Sequence, residues 1–400
     1  MSGTLHGIRV LDLTNVLAGP YCAYQLALMG ADVIKVEVPG EGDLARQLGA
    51  DAALNAQQMG ASFLAQNAGK KSLTLNLKAT EGKEVLHRLV RSADVLVENF
   101  RPGVMERLGL SYAELCESNP TLIYCAISGF GQQGPMKATP AYDQIIQGLS
   151  GMMSITGTPQ TAPLRTGYPI ADTLAGMTAA FAISSALVRR LSQGQGAYID
   201  VSMLDSALTS MGWIVSNYLI AGVEPQAHGN DNFTAAPSGA FKAQDGMLNI
   251  AANKQDQFVA LMGAVGLPEL ATDPRFADRE ERKRNRAALT VLLEERLKTR
   301  PCAEWEAAFT RIGIPAGAVL TVPQALGLPQ VQQRGLFKTF DDVPGMKRPL
   351  KVVRSGIKVA GADPDVDTPP PQLGQHTDEV LLSVGYSRAE IERLRGAGAV

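Results

Sequence analysis

Residues 5–38, LHGIRVLDLTNVLAGPYCAYQLALMGADVIKVEV, decide the fold class. Two short apolar runs, 9–13 and 32–37, read as buried strands of a parallel sheet. Between them Gly19-Pro20 opens a helical pattern over 20–29. A proline fits there because a first-turn N–H has no intrahelical partner. Working outward, 95–99 and 122–128 repeat the strand pattern, and 80–91, 103–108 and 111–118 read as helices. A long small-residue helix (173–191), a strand (198–203) and another helix (204–221) follow. This alternation predicts an α/β fold, with an open Rossmann-like large domain carrying helices on both faces of the sheet.

Around residue 225 the texture changes, with Gly, Pro and Asn thickening over 222–239. A smaller α+β domain is expected next: strands at 247–251 and 317–320, helices at 255–265, 286–298 and 303–312. A strand-like run at 350–359, a Pro-rich connector at 368–371 and a helix pair at 377–384 and 387–396 then suggest a return to the large domain. The expected domains are therefore 1–224, 225–325 and a C-terminal segment, 326–400.

Of the 400 residues 45% are hydrophobic and 19% charged, enough to bury a sizeable core. Lys and Arg total 37 against 39 Asp and Glu, with no basic cluster of the kind nucleic acid requires. The four cysteines lie far apart, at neither metal-ligand nor redox spacing, which suits a reducing compartment. No leader pattern is visible at the N-terminus. The uncharged stretches 173–188 and 206–223 are broken by Ser, Thr, Gly or Asn and read as buried helices. A cytoplasmic protein with no nucleic-acid or membrane partner is the expectation.

The first strand–helix turn, Leu13 to Pro20, holds a single glycine, so the dinucleotide fingerprint is missing. The four histidines have no ligand spacing, so no metal site is expected, and no nucleophile elbow occurs. The richest stretch is 129–176. A glycine-rich loop (129–135) follows a strand, then come Ala141-Tyr142-Asp143 and Pro169-Ile170-Ala171-Asp172 at a helix start. An Asp there is either an N-cap, contributing about 1 kcal/mol, or a reactive carboxylate. Asn99-Phe100-Arg101-Pro102-Gly103, with Arg107 beyond, is either an anion site after a strand or a helix start with surface arginines.

Taken together, the stretches 5–20, 30–37, 70–78, 94–110, 128–135, 141–157, 169–176 and 373–381 resemble the class III CoA-transferases, the CaiB/BaiF or formyl-CoA transferase family. The resemblance spans nearly the whole chain. It implies that Asp172 is the nucleophile and carries acyl and CoA groups covalently. It implies CoA contacts from Val16, Ala18, Leu73, Leu75, Asn99, Phe100, Arg101, Arg107, Ala141 and Tyr142, with Lys70, Lys71 and Lys78 nearby. Gly239 is a candidate for holding a developing oxyanion. No metal or other cofactor is implied, CoA being a co-substrate, and two chains are expected to interlock as a homodimer. One departure stands out: some members place a basic residue where this chain has Val38-Pro39.

Two other readings are weighed. An α-methylacyl-CoA racemase of the same fold is expected to use a His before the Asp of the Ala-x-Asp motif; Tyr142 stands there, and no His lies between 88 and 227. A non-catalytic CoA-binding protein is the third. The transferase reading expects a short mono- or dicarboxylate acceptor such as succinate, with Arg165 either pairing a second carboxylate or facing solvent.

Overall fold

A computed structural model describes residues 3–400 and divides the chain into two compact units. The first comprises the chain up to Met152, Arg165–Gly222 and Arg334–Val400; the second, Met153–Leu164 and Val223–Gln333. Residues 153–164, which the sequence pattern leaves inside the large domain, group with the second unit. There Gly157 O accepts a hydrogen bond from Gly229 N (2.6 Å).

A six-stranded sheet carries the first unit: β1 (Arg9–Asp12), β2 (Asp32–Glu37), β3 (Lys70–Thr74), β4 (Val95–Glu98), β5 (Ile123–Ser128) and β6 (Ala197–Ser202). Its order is β3-β2-β1-β4-β5-β6, and every neighbouring pair is parallel. The order reverses between β1 and β4. In open sheets of this kind ligands bind beyond the carboxyl ends of the strands at that reversal.

Alternation along each strand builds two cores. Val10, Val33, Val97 and Cys125 face the helices Ala18–Leu28 and Ile170–Gln193. Leu11, Ile34, Leu73, Leu96 and Tyr124 face the helices Thr80–Val90 and Thr377–Ser383. Ile170–Gln193 is the one helix among the described residues long and apolar enough to cross a membrane. In the fold its stripe Ala171, Ala175, Ala179, Ile183, Leu187 is buried in the first core at the four-residue spacing of one helix face. Gly176 lets this helix sit close to Ala18–Leu28, since a Cβ there would lie 2.5 Å from Ala18 O.

Three local expectations are corrected. β3 is a strand that the apolar pattern passes over, because it starts on Lys70-Lys71; burial of Lys70 is possible because Asp12 neutralises it (2.8 Å). The helix expected across 204–221 is two, Met203–Ser210 and Gly212–Ala221, broken at Met211, whose φ −86°, ψ 15° leaves the helical region. The strand expected over 350–359 ends at Val353 after pairing with Phe337–Phe340, and the Arg354 side chain turns to Pro364 O.

The second unit has an antiparallel sheet of β7 (Ser238–Lys242), β8 (Met247–Ala251) and β9 (Ala316–Ala318). Helices Gln255–Ala264, Arg286–Leu297 and Cys302–Arg311 close a core around Phe258, Phe276, Leu293 and Trp305.

Candidate active site

At the carboxyl ends of β1, β4 and β5 the first unit opens into a cleft. Its floor is the turn after β1, bound to the turn after β4 by two reciprocal bonds. Asn15 N donates to Asn99 Oδ1 (2.8 Å), and Asn99 Nδ2 donates to Asn15 O (2.8 Å). Val16 stands in the left-handed region at φ 69°, rare for a β-branched residue and a strain of order 1–3 kcal/mol. Asp43 fixes it: its Oδ1 accepts from Val16 N (2.9 Å) while Lys35 holds its Oδ2 (2.9 Å).

Beneath this turn lies a buried quartet of two lysines and two aspartates. Lys35 also donates to Thr14 O (2.9 Å), and Lys70 donates to Pro20 O (2.9 Å) while pairing with Asp12. Balanced charge with satisfied donors is the condition under which such groups tolerate burial. Burial by itself would raise the Asp12 carboxyl, but Lys35 and Lys70 outweigh it and hold it down to about 2. On the β4 side, Glu98 Oε2 accepts from Phe100 N (2.7 Å) and so orients the loop that places Phe100 and Arg101 in the cleft. Burial pushes the Glu98 carboxyl up to about 8.

Asp172 is the third residue of the helix Ile170–Gln193, whose N-cap, Pro169, has neither an N–H nor a capping side chain. The exposed N–H groups at this helix start are capped from elsewhere. Asp143, first residue of the helix Asp143–Leu149, turns Oδ1 towards Ala171 N (2.8 Å) and Asp172 N (3.4 Å). Asp172 is therefore not the cap that its sequence position allows. Its carboxylate has no hydrogen-bond or ion-pair partner among the described residues, and it is the one acidic side chain among those lining the cleft. Burial first, and the charge of Asp143 second, raise it from 3.8 to about 7.

Of the residues singled out from the sequence, Val16, Ala18, Asn99, Phe100, Arg101, Ala141 and Tyr142 line the same cleft as Asp172. Leu73 and Leu75 do not: both side chains are fully buried in the core on the opposite face of the sheet. Arg107 is exposed on the short helix Val104–Leu108, outside the lining. Arg165 is exposed and donates to Thr166 O (3.2 Å) within its own loop, and Gly239 belongs to the second unit, on β7. Ser128, Lys137 and Met203 line the cleft without having been singled out. A cation eight residues past Gly129 in a glycine-rich loop after a strand was the available signal for Lys137. Among the described residues no group of three or more His, Cys, Asp or Glu side chains could hold a metal ion.

The model of CoA-transferase family III matches residues 5–377. An acetyl-CoA:oxalate CoA-transferase from Acetobacter aceti is 41% identical over 88% of this chain and 89% of its own. A succinyl-CoA:glutarate CoA-transferase from Mus musculus is 36% identical over 99% of this chain and 90% of its own. Among solved structures, a CAIB/BAIF family protein from Brucella suis matches with a TM-score of 0.84 at 37% identity, covering 96% of this chain and 100% of that one. The chain belongs to CoA-transferase family III. It is an enzyme of CoA transfer, with CoA as a co-substrate.

Proposed function

We propose that the enzyme moves CoA between a short acyl-CoA and a short mono- or dicarboxylate such as succinate, through covalent intermediates on Asp172. The observation that carries this reading is a carboxylate in the cleft freed from helix capping by Asp143. The ionised Asp172 attacks the thioester carbonyl. The C–S bond breaks, CoA leaves as thiolate, and an acyl-aspartyl anhydride forms. CoA thiolate then attacks the aspartyl carbonyl, expelling the first acid and leaving an aspartyl-CoA thioester. The acceptor carboxylate attacks the carbonyl of that thioester, breaking the C–S bond, releasing CoA thiolate and forming an anhydride of the same kind. The thiolate then attacks the acceptor's acyl carbon, giving the new acyl-CoA and freeing Asp172 as carboxylate. Both intermediates are open to hydrolysis, so water must be excluded while they persist.

Val16, Ala18, Asn99, Phe100 and Tyr142 would line the CoA path, with Arg101 meeting phosphate oxygens. The relatives' names support a carboxylate acceptor: one acts on oxalate, another on glutarate. A racemase is disfavoured because Tyr142, exposed at the cleft, occupies the place of the second base. Dimerisation is supported by apolar side chains left open on two helices: Phe181, Val188 and Leu191 on Ile170–Gln193, and Trp213, Leu219 and Ile220 on Gly212–Ala221.

The test is intact-protein and peptide mass spectrometry after incubation with acyl-CoA donors and quenching, with hydroxylamine as a trap. A mass gain localised to Asp172 and its loss in Asp172→Asn are expected. Transfer activity retained by Asp172→Asn would refute the reading.

A further inference from the structure

Resting on the reading above, we infer that Gln147 is a positioning residue for transfer, acting through Asp143 on the helix that presents Asp172. Gln147 is completely buried, one turn beyond Asp143 on the same helix. Its amide is fully committed in an order that fixes which end faces which way. Nε2 donates to Asp143 Oδ2 (2.6 Å) and to Tyr168 O (3.3 Å), while Oε1 accepts from Thr166 N (2.9 Å) and Thr166 Oγ1 (3.1 Å).

One side chain thus holds both the aspartate that caps the helix Ile170–Gln193 and the loop leading into it. Asp143 is left with Oδ1 for Ala171 N and Asp172 N. The Thr166 hydroxyl has one proton, which it can give to Oε1 or to Tyr168 O, but the Thr166 main-chain N–H only donates. A reversed amide would therefore set an NH2 against that N–H and a carbonyl against Asp143. The donor end must face an acceptor at position 143. A glutamine serving only to fill space would not require this polarity, since shape alone would satisfy the cavity.

Polarity gives a test by exchange. Asp143→Asn still caps through Oδ1 but sets an NH2 against the Gln147 NH2. Gln147→Glu sets two carboxylates against each other. The double variant restores one donor facing one acceptor between positions 143 and 147, and the carboxylate introduced at 147 still accepts from Thr166. It gives up only the 3.3 Å bond to Tyr168 O, which keeps Ile170 N and Thr166 Oγ1 as donors. Each single variant is expected to lose at least about tenfold in kcat, with KM for the acyl-CoA within about twofold. The double variant is expected to return to within about threefold of the parent kcat. A double variant no better than the poorer single, or one that does not fold, overturns the inference, as does an unimpaired Gln147→Glu. Asp172→Asn run beside them separates the two claims. If it transfers CoA, the nucleophile reading falls; if it is inactive and the exchange does not rescue, only the role of Gln147 falls.

Discussion

Replacing Asp172 by Asn should make the protein inactive and, above neutral pH, more stable. In the fold this carboxyl keeps its proton up to about pH 7, whereas in the unfolded chain it gives the proton up near 3.8. Between those values the native state binds more protons than the unfolded one, so stability falls as pH rises and stays lowered above 7. Roughly three pKa units correspond to about 4 kcal/mol. The cleft is open to water on one side, and screening there should leave about 2 kcal/mol to be measured. Asn keeps the shape and carries no such penalty. The stability gain of Asp172→Asn should therefore be close to zero below pH 4 and reach about 2 kcal/mol by pH 8. Urea denaturation followed by circular dichroism at pH 4, 6 and 8 measures it as a widening gap in midpoint. A gain that is the same at every pH, or absent at pH 8, would show that the site does not strain this carboxylate.

Gly176→Ala places a methyl 2.5 Å from Ala18 O, so the helix Ile170–Gln193 must move away from Ala18–Leu28; a loss of about 1–3 kcal/mol in denaturation and a fall in kcat are expected, because Asp172 sits one turn ahead on the same helix. Lys70→Met leaves Asp12 with its Thr14 hydrogen bonds but with Lys35, 4.0 Å away, as its one cation partner among the described residues, and should cost about 3–5 kcal/mol by denaturation. Arg101→Ala should raise KM for the acyl-CoA about tenfold with kcat unchanged and weaken the salt dependence of kcat/KM, as read from steady-state rates.

What was legible in the sequence was what local pattern encodes. β1 and β2 announce themselves as apolar runs around a Gly-Pro helix start, and β2 occupies Asp32–Glu37 as its pattern indicates. β3 was hidden by two leading lysines, one of which is buried only because Asp12, 58 residues earlier, meets it. The choice between capping and reactivity at Asp172 could not be made locally either, because the true cap lies 29 residues upstream. Capping rules search within a turn of the helix start and have no means of finding it. Val16 gave no hint of its left-handed backbone, since that conformation is normally foretold by glycine. Leu73 and Leu75 show the opposite limit: a motif can carry a position across a family without saying whether side chain or main chain faces the ligand, and here the side chains are core.

The raised Asp172 carboxyl also bears on which way the proposed anhydride collapses. CoA thiolate can attack either carbonyl of that anhydride. Attack on the aspartyl carbon expels the substrate acid, whose pKa as a simple carboxylate is about 4. Attack on the acyl carbon expels Asp172, held near 7 by burial and Asp143, and merely returns the starting thioester. The weaker base leaves faster. Taking a leaving-group sensitivity of about one half per pKa unit, three units favour the forward direction about 30-fold, in the sense that the lower-pKa group leaves faster. Asp143→Asn removes the second cause of the shift and should erode that bias. In a single turnover without acceptor, mixing enzyme with stoichiometric acyl-CoA, the variant should release less free acid per anhydride formed. Equal partition in parent and variant would mean that the charge of Asp143 has no part in directing the collapse, and that burial alone sets the basicity of the Asp172 carboxylate.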